Sequence, residues 1–179
     1  MMTHGSTKEK ISEVVDTIAL AGGEIVGRTR LQKIMYLLKI TGLGADSFSF
    51  RYKHYGPFSD HLAEVTEYAG LFDSIEEETR RSTWGGSYYV YKTAAQSSSD
   101  EAGVKKQLID IASKANPIDL ELAATVAYLK VGGFDDPWQE TRARKPDKVN
   151  RIESAKLLYE RLSQLETPNR VPDVNGMYA

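Results

Sequence analysis

Residues 27–68, GRTRLQKIMYLLKITGLGADSFSFRYKHYGPFSDHLAEVTEY, hold an amphipathic helix, an aromatic strand, a Tyr-Gly-Pro corner and a second helix of opposite charge. In the first helix Leu31, Ile34, Met35 and Leu38 recur at the spacing that gathers apolar side chains on one face. Arg28, Arg30, Lys33 and Lys39 fill much of the remainder. Phe48, Phe50 and Tyr52 then alternate with Ser49, Arg51 and Lys53, the pattern of a half-buried strand with one aromatic face and one polar, basic face. The chain must turn at Gly56-Pro57, because proline lacks a backbone donor and fixes φ, while glycine enters conformations closed to other residues. Ser59 or Asp60 can cap the helix that follows.

The charges of this stretch separate by sign. From Ile25 to Ser59 six basic residues face the single acid Asp46, a net +5, whereas Asp60 to Glu78 carries seven acids and no Lys or Arg, a net −7. Asp60, Glu64 and Glu67 share one helical face, opposite Leu62, Val65 and Ala69. A row of carboxylates suits a helix poorly for lying in a DNA groove.

Outward from this stretch, residues 1–7 are expected to be disordered. Ile11, Val14, Val15 and Ile18 mark a first helix that Gly22-Gly23 ends, and Glu24 to Val26 reads as a short strand or turn. Leu71 to Glu78 and Tyr88 to Lys92 read as two strands joined by a long tip, Thr79 to Ser87, which carries Arg80, Arg81 and Trp84. This order of elements is that of a winged-helix-like module, with the strand from Phe48 to His54 as an addition. After the polar linker from Gln96 to Gly103, Leu108, Ile111 and Ala115 mark another helix. Asn116 as cap, Pro117 at the first helical position and Asp119 in the first turn start the next one. That helix is apolar on nearly every side after Glu121, so it is expected to be the central buried helix. Phe134 to Pro146 reads as irregular, and Ile152, Ala155, Leu158, Tyr159 and Leu162 define a last helix. The expected fold is therefore α+β and mostly helical. It is a single domain over 8–166, with a winged-helix-like half (8–95), a half of three helices (104–166) and a mobile tail (167–179).

Composition bounds the function. The 179 residues are 41% apolar and 27% charged, ordinary values for a globular chain, and no apolar run approaches the roughly 20 residues of a membrane span. A net charge of −2 excludes a globally basic nucleic-acid binder but leaves room for a local basic patch. The lack of cysteine excludes disulfides, thiol nucleophiles and Cys-ligated zinc. The start, MMTHGSTKEK, has no apolar signal-peptide core, which gives the expectation of a cytoplasmic protein.

LQKIMYLL, the aromatic strand ending in HYGPFS, the helix after it, LELAATVAYL, and an Arg-x-x-Lys-Pro stretch before a final helix together resemble the YwgA-like proteins. More distantly they resemble the SocA-like, Panacea-domain antitoxins. The resemblance covers Lys8 to Leu165 and implies a small, mostly helical domain that, in the antitoxin branch, neutralises a toxin by binding it.

No catalytic or cofactor-binding residues can be assigned from the sequence. His54 and His61, with Asp60 and Glu64, form the only cluster with hydrolase or metal-ligand potential, and no third ligand follows from the spacing. The leading expectation is a non-enzymatic, antitoxin-like or regulatory protein that binds a partner protein, a cognate toxin being one candidate. The partner-binding candidates are Tyr55, Phe58, Asp60, Glu64, Glu67, Arg80, Arg81 and Trp84. The alternative is a winged-helix-type DNA-binding regulator that uses Arg28, Arg30, Lys33, Arg51 and Lys53, with weak, non-specific binding to DNA expected. Homo-oligomers are compatible with either reading.

Overall fold

Leu31 to Leu38 are all buried, so the helix expected to be amphipathic is enclosed on every side. In the computed structural model, which describes residues 5–97 and 103–175, this helix is α2 (Arg28–Ile40). It follows α1 (Thr7–Leu20), whose start is fixed by a reciprocal Ser6–Glu9 capping box, and β1 (Glu24–Val26). A small hairpin comes next, β2 (Arg51–Lys53) with β3 (Gly56–Phe58), in which Tyr52 lies opposite Pro57. The Ser59 hydroxyl accepts from the Leu62 backbone at 3.1 Å and starts α3 (Asp60–Leu71). The strands β4 (Glu76–Arg81) and β5 (Ser87–Lys92) complete a three-stranded antiparallel sheet in the order β1-β5-β4.

The C-terminal part wraps this arrangement. α4 (Val104–Lys114) packs on α1 and α2, and α5 (Pro117–Val131) runs through the middle, against α2, β3, α6 (Pro137–Arg144) and α7 (Ile152–Ser163). The buried core is one cluster shared by α1–α3, the sheet and the later helices. The fold is α+β and mostly helical, and the winged-helix likeness of its first half rests on the order of elements alone. Among the described residues no helix is long and apolar enough to cross a membrane.

Several expected boundaries are corrected. Leu71 and Phe72 end α3 instead of starting a strand, and β4 and β5 pair from Glu76 to Arg81, which shortens the tip to residues 82–86. Arg80 therefore sits within a strand. The stretch expected to be irregular forms α6, because Asp136 caps it by accepting from Gln139 at 3.0 Å and Pro137 fits the first turn. A 3₁₀ helix (Pro146–Arg151) then leads into α7, so the second half has four α-helices instead of three. The tail, expected to be mobile, lies against the domain as far as it is described. Val171 and Val174 are buried, Tyr159 donates to the Pro172 carbonyl at 2.6 Å, and Asn169 donates to Thr41 at 3.0 Å. Residues 1–4 and 176–179 of the expected disordered and mobile ends lie outside the described residues.

Candidate partner-binding surface

Two side chains of α2 hold the backbone of the Tyr-Gly-Pro hairpin. Gln32 accepts from the Ser59 amide at 2.8 Å and donates to the Ser59 carbonyl at 3.0 Å, and Lys33 donates to the Pro57 carbonyl at 2.7 Å. Lys33 is only 1% exposed. Burial, reinforced by Lys145 and Lys148 and opposed by Glu121, lowers its amine to about 7.

The hairpin is held from its other side by the second half of the chain. Lys145, also buried, donates to the His54 carbonyl and lies 2.8 Å from the Glu121 carboxylate, which Lys148 also reaches at 2.8 Å. Two residues earlier on α5, Asp119 accepts two bonds from the Arg151 guanidinium, at 2.8 and 2.6 Å. Lys145, Lys148 and Arg151 are spaced by three residues, and the 3₁₀ geometry between them stacks side chains of that spacing on one face. The two acids of the apolar helix α5 are thereby matched to a row of cations. Asp119 thus serves as an ion-pair partner as well as a first-turn acid.

Gly56 closes the turn with φ +86°, and a Cβ there would stand 2.5 Å from the Thr125 hydroxyl oxygen and 3.7 Å from the Glu121 carbonyl oxygen of α5. The hairpin is therefore seated directly on α5. At its tip Tyr55 is 52% exposed, with His54 edge-on to its ring and the Lys148 ammonium 5.3 Å from the ring centre.

On the far side of β3 a groove of about 660 Å³ runs between α2 and α3 toward the sheet. Leu31, Phe58, Ala63, Gly70, Leu71 and Tyr91 supply its apolar lining, and Asp60, Glu64, Glu67 and Glu77 supply carboxylates. Its one basic lining residue, Arg28, is bonded to Glu77 at 2.9 Å and stacks on the Tyr89 ring at 3.5 Å.

The partner-binding candidates consequently fall into separate places. Phe58, Asp60, Glu64 and Glu67 line the groove, and Tyr55 stands at the hairpin tip. Arg81 ends β4, and Trp84, 84% exposed, lies in the tip of the β4–β5 hairpin. That tip is more than about 13 Å of strand from Glu77. Arg80, expected in a loop, bonds Glu78 at 3.0 Å and Glu24 at 3.4 Å. Arg80 and then Lys92 hold the Glu78 carboxyl down at about 2.

The nucleic-acid candidates are committed within the chain. Lys33 is buried, Arg30 donates to the Ala112 and Ala115 carbonyls at 3.2 and 2.6 Å, and Arg51 and Lys53 bond Asp60 at 2.8 and 2.5 Å. With the Arg28–Glu77 pair, each of these five basic side chains has a bonding partner within the chain. His54 and His61 do not converge: His54 lies against Tyr55, while His61 meets Lys10 at 3.2 Å and packs on Phe48. Among the described residues no three His, Cys, Asp or Glu side chains stand close enough to share a metal ion.

Sequence reading missed Glu121, Lys145, Lys148 and Arg151. A usable signal was present in two carboxylates at the start of an otherwise apolar helix, since buried carboxylates require cations. Comparison with family models, with curated proteins and with solved structures gives no match, so the surface is read from its own geometry.

Proposed function

We infer that this chain is a non-enzymatic cytoplasmic protein, antitoxin-like or regulatory, that acts by binding a partner protein. The observation that supports this reading is the clamped hairpin. Gln32, Lys33 and Lys145 hold backbone groups of residues 54–59, and the result is one fixed, half-exposed tyrosine. Desolvating an ion costs several kcal/mol, an expense out of proportion to the small hairpin it fixes. A tyrosine fixed in advance loses little entropy on binding, and tyrosine is among the residues that dominate interface energies. Duplex DNA fits this surface less well than a protein does, because α3 presents carboxylates to solvent.

Co-purification from cell lysate tests the reading. Tyr55→Ala should keep the wild-type melting transition and weaken capture of the partner at least tenfold, which corresponds to about 1.4 kcal/mol. Equal capture by the two proteins would place the interface elsewhere.

A further inference from the structure

The groove between α2 and α3 has the dimensions and charge of a seat for an elongated segment. Its α3 lining residues, from Asp60 to Leu71, span the whole helix, which is about 17 Å or three turns. At the far end Leu71 and Phe72 are 71% and 69% exposed, a paired apolar step on an otherwise polar rim. The carboxylates differ in what they have left to offer. Lys53 and Arg51 bond Asp60 and keep its carboxyl below the usual range, and Arg28 bonds Glu77. Among the described residues Glu64 has only the Tyr68 hydroxyl at 3.1 Å and the His61 ring at 4.0 Å, and Glu67 has no ion-pair partner. The groove therefore keeps a negative edge along the middle turns of α3, above an apolar floor.

We propose that this groove docks a cationic amphipathic helix of a partner protein, with the lysines or arginines of that helix meeting Glu64 and Glu67 and an apolar residue resting on Leu31, Gly70 and Leu71. The proposal rests on the partner-binding reading and adds a chemical class to it. Charge fixes the orientation and speeds encounter, while the desolvated apolar contact supplies affinity. Three turns of helix present cations at i, i+3 and i+4, which matches the spacing of Glu64 and Glu67. Glu64 and Glu67 are themselves three residues apart on α3.

Gly70 offers a clean block. It lies in α3 and lines the groove, and a Cβ built there meets nothing within 4 Å, so a side chain at this position starts in open space. Gly70→Trp should fold at least as well as wild type, since glycine is a poor helix residue. The probe is a fluorescein-labelled 14-residue Lys/Leu peptide with amphipathic helical spacing, read by fluorescence anisotropy against the full chain. A Glu/Leu peptide of the same pattern and a Lys/Ser peptide without apolar residues serve as controls. The Lys/Leu peptide should bind with a salt-sensitive Kd, tighter than either control by at least tenfold. Gly70→Trp and the double variant Glu64→Lys, Glu67→Lys should each weaken it at least tenfold, while Leu157→Ala, on the exposed side of α7, should leave it unchanged. Equal binding of all three peptides, undiminished binding to Gly70→Trp, or sedimentation showing the groove filled by a second copy would overturn the proposal. Loss of partner capture by Tyr55→Ala alongside an inert groove would defeat this proposal and leave the partner-binding reading standing.

Discussion

Gly56 is the residue at which the hairpin tolerates least. Its φ of +86° is strained for a side chain, and a methyl group would meet the Thr125 oxygen at 2.5 Å. Gly56→Ala should cost about 1–3 kcal/mol in urea unfolding. Thr125→Ala in the same chain should return part of that loss, because it removes the clash and leaves the backbone strain. Lys33 makes a prediction of opposite character. Its amine titrates near 7 in the fold against an ordinary value of 10.5, so between these pH values the unfolded chain binds more protons and stability rises with pH. Lys33→Met lacks this contribution. Measured by denaturant unfolding, the difference between wild type and variant should move in wild type's favour from about pH 7 to about pH 9 and stay flat below pH 6. An equal pH dependence in both proteins would mean that Lys33 is not held in the depressed state.

At the scale of elements, the hairpin that ends at Phe58 depends on a helix that begins only at Pro117. Glu121→Gln removes the shared counter-charge of Lys145 and Lys148, and loss of one partner from a buried ion cluster costs about 3–5 kcal/mol. The same change should raise amide hydrogen exchange in residues 51–58 ahead of the rest of the fold. By contrast, Arg28→Ala breaks an exposed pair and should change stability by no more than about 1 kcal/mol. These elements were unequally legible in the sequence. Periodicity located α1, and periodicity with the caps at Ser59 and Asn116 located α3 and α5, because burial of one face and capping are local properties; the Ser6 cap of α1 falls within residues expected to be disordered. The helix α6 was hidden by Pro137 at its start, Pro146 just beyond its end and its low apolar content, although Asp136-Pro137 is a start signal. Lys33 read as solvated because nothing within a helical window reveals a bond to Pro57, 24 residues on. The groove was visible as the acidic face of α3, whereas its apolar floor comes from α2, β3 and β5 and exists only once they pack.

For the whole molecule, the opposed charges of residues 25–78 are partly spent inside the chain, in Arg28–Glu77, Arg51–Asp60 and Lys53–Asp60. What remains outward is the edge formed by Glu64 and Glu67, the tyrosine at the hairpin tip and the tryptophan of the β4–β5 tip. Trp84→Ala should change stability by no more than about 0.5 kcal/mol, since the ring is 84% exposed. Whether the tyrosine meets a partner can be read directly by replacing Tyr55 with the photo-crosslinking residue p-benzoylphenylalanine and irradiating living cells. The same replacement at Leu157, exposed on α7, provides the control. The expected result is one discrete protein adduct from position 55 that is missing from position 157. No adduct at position 55, or the same ladder from both positions, would contradict partner binding through the clamped hairpin.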